Sequence, residues 1–248
     1  MAEASRLYGM KAIVTGAASG IGEAIARTFV KHGAEVLAAD EPGSGIDATF
    51  RRLSGVTALA IDPGAPTMAA KLTQAALDEL GGVDILVNNY ACDSAAPADP
   101  AAALERLLQQ ITETSDAALP LLKQSPAGRV INIGCLRSAF GPDGEAALAA
   151  SEEGLAGLTA RQAAEFGGHG ITANYLQPGA IMTPQSRAVF DADKAFRDRC
   201  IRSSAAKRLG EPLDVAKVAL FLASGDSVFV SGTRIAVDGG AMPEPAGD

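Results

Sequence analysis

Lys11-Ala12-Ile13-Val14-Thr15-Gly16-Ala17-Ala18-Ser19-Gly20-Ile21-Gly22 reads as a strand, a glycine-rich turn and the start of a helix. The glycines follow G-x-x-x-G-x-G, with Gly16, Gly20 and Gly22. Without side chains the turn can be tight, and backbone N–H groups can approach a pyrophosphate that the helix N-terminus also favours. Ser19 adds a hydroxyl donor. A glycine trio alone marks any strand-to-helix turn, and its place directly after the first strand makes it specific. Eighteen residues beyond Gly22 the second strand ends at Asp40. A carboxylate there accepts hydrogen bonds from both adenosine ribose hydroxyls and repels a 2′-phosphate, which selects NAD over NADP. The next residues, Glu41 and Pro42, supply no cation to reverse that choice. The competing reading is that Asp40 merely opens a turn.

Outward from this motif, short apolar runs alternate with helical patterns. Strands are predicted at Ala12–Thr15, Glu35–Asp40, Thr57–Asp62, Val83–Asn88, Arg129–Gly134, Ile171–Leu176 and Thr233–Val237. Their continuous apolar character fits strands covered on both faces. Helical periodicity fills Gly22–His32, Ala65–Leu80, Ala101–Lys123, Glu145–Phe166 and Leu213–Ala223. The alternation predicts one Rossmann-like α/β domain over residues 1–248, a doubly wound parallel sheet of about seven strands with helices on both faces. The polar, charged region 183–210 breaks the rhythm and is expected to be a substrate lid, a plain surface excursion being the alternative. Within it Lys194, Arg197, Arg199 and Arg202 interleave with Asp191, Asp193 and Asp198, a pattern of a solvated helix face rather than an anion site.

The composition is that of a globular protein, 48% hydrophobic and 20% charged. A net charge of -8 argues against nucleic acid or an anionic membrane surface as partner. Cys92, Cys135 and Cys200 are widely spaced and odd in number, so they are expected to be plain thiols with no metal site. The opening residues carry no signal-peptide pattern, and no apolar run is long enough to span a bilayer. The expectation is a cytoplasmic protein.

Taken together, the motifs resemble the short-chain dehydrogenase/reductase family over nearly the whole chain. Thr15 to Gly22 matches its cofactor turn, and Asp62 matches the residue that ends its third strand and contacts adenine. Val87-Asn88-Asn89-Tyr90-Ala91 stands where the family has Asn-Asn-Ala-Gly, and Pro178-Gly179-Ala180-Ile181-Met182-Thr183 resembles its nicotinamide-contacting segment. Arg208 to Pro212, Phe221 to Ser224, Ser231-Gly232 and Val237 to Gly240 match its C-terminal third. The resemblance implies NAD contacts from Gly16, Ser19, Gly20, Ile21, Gly22, Asp40, Asp62, Asn89, Pro178, Gly179, Ile181 and Thr183. It also implies a small-molecule substrate and a homo-oligomer, a tetramer by analogy.

The same resemblance exposes a contradiction. Family members pass hydride between nicotinamide and a carbonyl or alcohol carbon while a tyrosine exchanges the oxygen's proton, aided by a lysine and a serine. Aligned on Ser151-Glu152 and Gly154-Leu155, the tyrosine place holds Leu148 and the lysine place Glu152. Counting back puts Cys135 at the serine place, and the fourth-helix asparagine has no counterpart within Ala101–Lys123. No tyrosine lies between Tyr90 and Tyr175, and no lysine between Lys123 and Lys194, so a shifted register or the wider spacing of enoyl reductases cannot restore the pair. Leu148 moves no proton, and Cys135 is a weak hydrogen-bond donor. As a nucleophile Cys135 lacks an activating histidine, since His32 and His169 lie at remote element ends; Arg137 is its nearest cation in sequence. Glu152 can still accept from the nicotinamide ribose. Glu145 and Tyr90 are candidate substitute acids, with surface or packing roles as the alternative. Three readings follow: an NAD-dependent oxidoreductase with a non-standard proton route, a silent NAD-binding sensor or inactive subunit, and last a lyase resembling halohydrin dehalogenases. Those lyases keep serine and tyrosine and lose the glycines, the reverse of this chain.

Overall fold

Side chains alternate faces along a strand, and in this protein both faces of the sheet's central strands are buried. The computed structural model describes residues 5–90, 100–136 and 145–241. Ala91, Cys92 and Arg137 lie outside the described residues, as does the side chain of Glu145. Along β1 (Lys11–Thr15) Ala12 and Val14 enter one apolar core and Ile13 the other. The first core packs the sheet against α1 (Gly20–Lys31), through Ile21, Ile25 and Phe29, and against α8 (Pro212–Ala223), through Val215, Ala219 and Leu222. The second packs it against α3 (Met68–Leu80), α4 (Pro100–Leu122) and α5 (Glu145–Gly167), through Leu72, Leu122 and Phe166 among others. Double coverage explains why the strands read as apolar runs rather than as alternating patterns.

The remaining strands are β2 (Glu35–Asp40), β3 (Val56–Ala60), β4 (Ile85–Asn88), β5 (Arg129–Ile133), β6 (Thr172–Pro178) and β7 (Arg234–Val237). All pair in parallel, in the order β3-β2-β1-β4-β5-β6-β7. The order reverses between β1 and β4, and Val14 stands in register with both Ala38 of β2 and Val87 of β4. A crevice opens at the carboxyl ends of strands at such a reversal, and it is there that β1 delivers the glycine turn and β4 delivers Asn89 and Tyr90.

A buried chain of amides stiffens that end of the sheet. Asn88 Nδ2 donates to Asn132 Oδ1 at 2.9 Å and to Ser115 Oγ at 3.1 Å. Asn132 Nδ2 in turn donates to Thr159 Oγ1 at 2.9 Å and Gln162 Oε1 at 2.8 Å. Four elements, β4, β5, α4 and α5, are thus tied together away from water, where such bonds are strongest.

Three helices go beyond the sequence reading. The five-residue α2 (Ile46–Phe50) is too short to show periodicity and starts after Gly45 without a side-chain cap. The region 183–210 folds as α6 (Pro184–Ala192) and α7 (Lys194–Ser203) rather than as an irregular excursion. Thr183 caps α6, Pro184 fills its first turn, and Asp193 Oδ1 accepts from Phe196 N at 2.8 Å to start α7. Phe190, Phe196 and Cys200 bury one another in a small core of their own. Asp191, Lys194 and Asp198 are exposed, with Lys194 paired to Asp191 at 2.7 Å, while Asp193, Arg197 and Arg199 are half-buried and Arg199 lies over the Phe196 ring.

Candidate functional site

The crevice is a cleft of about 460 Å³. Gly16, Ser19, Gly20, Ile21, Asp40, Asn89 and Thr183, all expected to contact a cofactor, line it. Gly16 has φ +58°, which favours glycine, and a Cβ there would run into the Asn89 carbonyl oxygen. A Cβ at Gly22 would strike the Gly16 carbonyl oxygen. Gly22 thus serves the turn from below, by letting the helix start hard against it. Asn89 clips the turn in place: its N–H donates to Thr15 Oγ1 at 2.9 Å, and Nδ2 donates to the carbonyls of Thr15 at 3.2 Å and Gly16 at 3.0 Å.

Asp40 stands at the end of β2 with both carboxylate oxygens oriented. Oδ2 accepts from Ala18 N and Oδ1 from Glu41 N, each at 2.7 Å. A carboxylate has lone pairs for roughly four donors, so capacity for two ribose hydroxyls remains. Glu41 and Ser44 line the cleft beside it. The α1 N-terminus, whose first turn carries no side-chain cap, supplies open amides for a diphosphate. These residues fit a dinucleotide: a carboxylate for the adenosine ribose, a glycine turn and helix end for the phosphates.

The described lining does not include Gly22, Asp62, Pro178, Gly179 or Ile181. Asp62 is exposed, and its Oδ1 accepts from Gly64 N at 2.8 Å, while its neighbours Ile61 and Pro63 reach the cleft. Pro178 ends β6 opposite Val237, and Gly179 leaves room for Asp238. Ile181 is buried and bridges to Gly210, so this segment sets the root of α6 and α7.

At the other end, Gly134, Cys135 and Leu136 line the cleft together with Leu107, Arg106 and Gln110 from α4. Behind them is an apolar cluster of Leu107, Ile111, Cys135, Leu155 and Tyr175, with Leu148 packed against it. Leu148 therefore adds hydrocarbon where a proton-transfer group was sought. Glu152 is half-buried one turn on, outside the cleft lining. Cys135 is disulfide-bonded, its partner lying outside the described residues. The expectation of a plain thiol is corrected there and holds for buried Cys200.

Two tyrosines approach this end. Tyr90 lines the cleft, but its hydroxyl shares a hydrogen bond with Thr114 Oγ1 at 2.5 Å, and burial pushes its pKa up to about 12. It stays protonated at neutral pH and is no base. Tyr175, which the sequence reading did not single out, is fully buried on β6 with its hydroxyl pressed against Gly134 and without a partner. Burial, then the charges of Glu152 and Glu153 against that of Arg234, raise its pKa well above the ordinary tyrosine value. A polar tyrosine inside the apolar run Ile171–Leu176 was the signal for it. Among the described residues no histidine, cysteine or carboxylate cluster has metal-binding geometry, and no helix is long and apolar enough to cross a membrane.

Comparison with known proteins agrees with this architecture. A family model described as enoyl-(acyl carrier protein) reductase matches residues 16–242. The chain is 33% identical over 242 residues to 3-oxoacyl-[acyl-carrier-protein] reductase FabG of Vibrio cholerae, covering 94% of this chain and 98% of the relative. It is 34% identical over 262 residues to the (3R)-3-hydroxyacyl-CoA dehydrogenase of Canis lupus familiaris, covering 97% and 99%. A hydroxysteroid dehydrogenase from Escherichia coli superposes with a TM-score of 0.85 at 29% identity, over 96% of this chain and 99% of that one. On sequence and fold alike, the chain belongs to the short-chain dehydrogenase/reductase family of oxidoreductases.

Proposed function

We propose that the protein binds NAD(H) in preference to NADP(H) and descends from oxidoreductases whose ordinary carbonyl/alcohol chemistry it has lost or slowed. The observation that carries the cofactor reading is the Asp40 carboxylate, held by Ala18 and Glu41 amides at the edge of the glycine turn. A 2′-phosphate would meet that charge, and Glu41 beside it, at close range. When bound, the nicotinamide would supply or accept hydride; the chain's own residues would have to manage the proton. Leu148 is apolar, Tyr90 is held protonated, and Tyr175 is shut behind Gly134. General acid/base help is typically worth roughly 10²–10⁴ in rate, and that is the expected deficit. The same missing groups favour a second reading, a silent NAD-binding sensor or inactive subunit. The segment 183–210 acts as the lid, the protein is a homotetramer by family analogy, and the substrate is a small molecule.

The test is calorimetric titration with NADH and NADPH, followed by NADH consumption against a panel of small ketones. Tight NADH binding, weaker NADPH binding and turnover barely above background are expected. Equal or tighter NADPH binding contradicts the cofactor reading, and robust turnover contradicts the impaired chemistry.

A further inference from the structure

Resting on the dinucleotide reading above, we propose that Gln185 is a polar contact between the lid and the diphosphate of a bound dinucleotide. Ser19 holds the N-cap place of α1, with φ -157° and ψ 172°, yet its hydroxyl bonds none of the helix amides. It accepts instead from Gln185 Nε2 at 2.7 Å, a side chain on the first turn of α6. Both residues line the cleft, so the bond spans its mouth from glycine turn to lid.

The donor count favours an anion at this spot. A carboxamide nitrogen carries two N–H groups and a hydroxyl that accepts can still donate its own proton. The second Gln185 N–H and the Ser19 O–H therefore remain, beside the uncapped first-turn amides of α1. Gln185 Oε1 lies 3.6 Å from the Cβ position of Gly20, which sets the carboxamide over the first residue of that helix. A diphosphate seated at the positive end of α1 would meet donors from both walls of the cleft.

Thr183 uses its hydroxyl as an acceptor and its amide as a donor in the cap of α6, and its O–H proton remains to donate. Its Oγ1 accepts from Ser186 N at 3.0 Å, and its own N–H donates to Ser186 Oγ at 2.7 Å, closing the cap of α6. What it turns to the glycine turn is carbon, with Cβ and Cγ2 each 3.3 Å from the Gly20 Cβ position. Ser186 Oγ also donates to the Ile181 carbonyl at 2.7 Å. Gln185, exposed between these two, reaches across to Ser19, and because it sits at the start of α6 its bond would anchor the lid to the ligand.

The experiment compares wild type, Gln185→Ala and Gln185→Glu by titration with NADH and, calorimetrically, with ADP-ribose, which keeps the diphosphate without nicotinamide. The isosteric glutamate removes both N–H donors and adds a negative charge. Limited proteolysis of the lid with and without NADH gives a second readout. Losing one charge-assisted bond should raise both dissociation constants about ten- to 150-fold in Gln185→Ala, with a larger rise in Gln185→Glu and loss of NADH protection of 183–210 in both. Unchanged or tighter binding by the variants, with wild type binding NADH normally, overturns the inference and leaves the cofactor reading intact. Failure of wild type to bind either ligand overturns that reading and this inference with it.

Discussion

Replacing Asp40 by Ala should separate NAD recognition from the rest of the cleft. The carboxylate accepts from Ala18 N and Glu41 N at 2.7 Å each and keeps lone pairs for two ribose hydroxyls. Hydrogen bonds to charged groups contribute about 1.5–3 kcal/mol each. Asp40 is only partly buried, so water reoccupies the vacated space and the surviving loss should be that of one bond rather than two. NADH binding should therefore weaken by about ten- to 150-fold, while NADPH, relieved of the repulsion, should gain relative to NADH. The chain contains no tryptophan, so energy transfer from tyrosine to bound NADH gives a clean titration signal. Melting and circular dichroism check that the glycine turn survives the loss of the Ala18 acceptor. An Asp40→Ala protein that binds NADH as wild type does, or a wild type indifferent to the 2′-phosphate, would refute the reasoning.

Two further outcomes follow from burial and packing. Tyr90 titrates near 12 when folded against 10.0 unfolded, and Tyr175 is raised as well. The unfolded chain therefore releases these protons first, and stability present below pH 10 should fall as pH rises toward 12. Alkaline melting curves should show this, with a shallower fall in Tyr90→Phe and Tyr175→Phe; identical slopes would contradict it. Light scattering at micromolar concentration should give a tetramer mass, formed by pairing α4 and α5, whose Ala146, Ala147, Ala150 and Leu158 offer small and apolar surface; a monomer would rule it out.

The strand–turn–helix at Lys11–Gly22 made the fold legible, because glycine spacing, apolar runs and helical periodicity are local properties of sequence. Asp40 was legible for the same reason: it ends a strand that the pattern already located. The cleft's other wall was not. Gln185 and Ser19 are 166 positions apart, and nothing local says that a glutamine after Thr183-Pro184 will cross to the glycine turn. The cap that Thr183 makes with Ser186 was hidden as well, because it depends on a helix set among polar residues. The amide chain from Asn88 to Gln162 joins four elements and is visible only once they pack. Tyr175 was read as part of an apolar strand, and its orphan hydroxyl emerges from contact with Gly134.

The central claim is that the cofactor site stands while the proton site has gone. NADH consumption by wild type and by the triple variant Cys135→Ser, Leu148→Tyr, Glu152→Lys, against small ketones and with NADH affinity checked in both, tests it most directly. All three changes belong together, since a tyrosine beside Glu152 would have its pKa raised by the like charge. The account predicts near-background turnover by wild type and a clear gain in the variant, of up to roughly 10²-fold if part of the acid/base term returns. Robust wild-type turnover that persists in Glu145→Ala and Tyr90→Phe would contradict it, and a folded, NADH-binding triple variant with no gain would show that the pocket itself has been rebuilt.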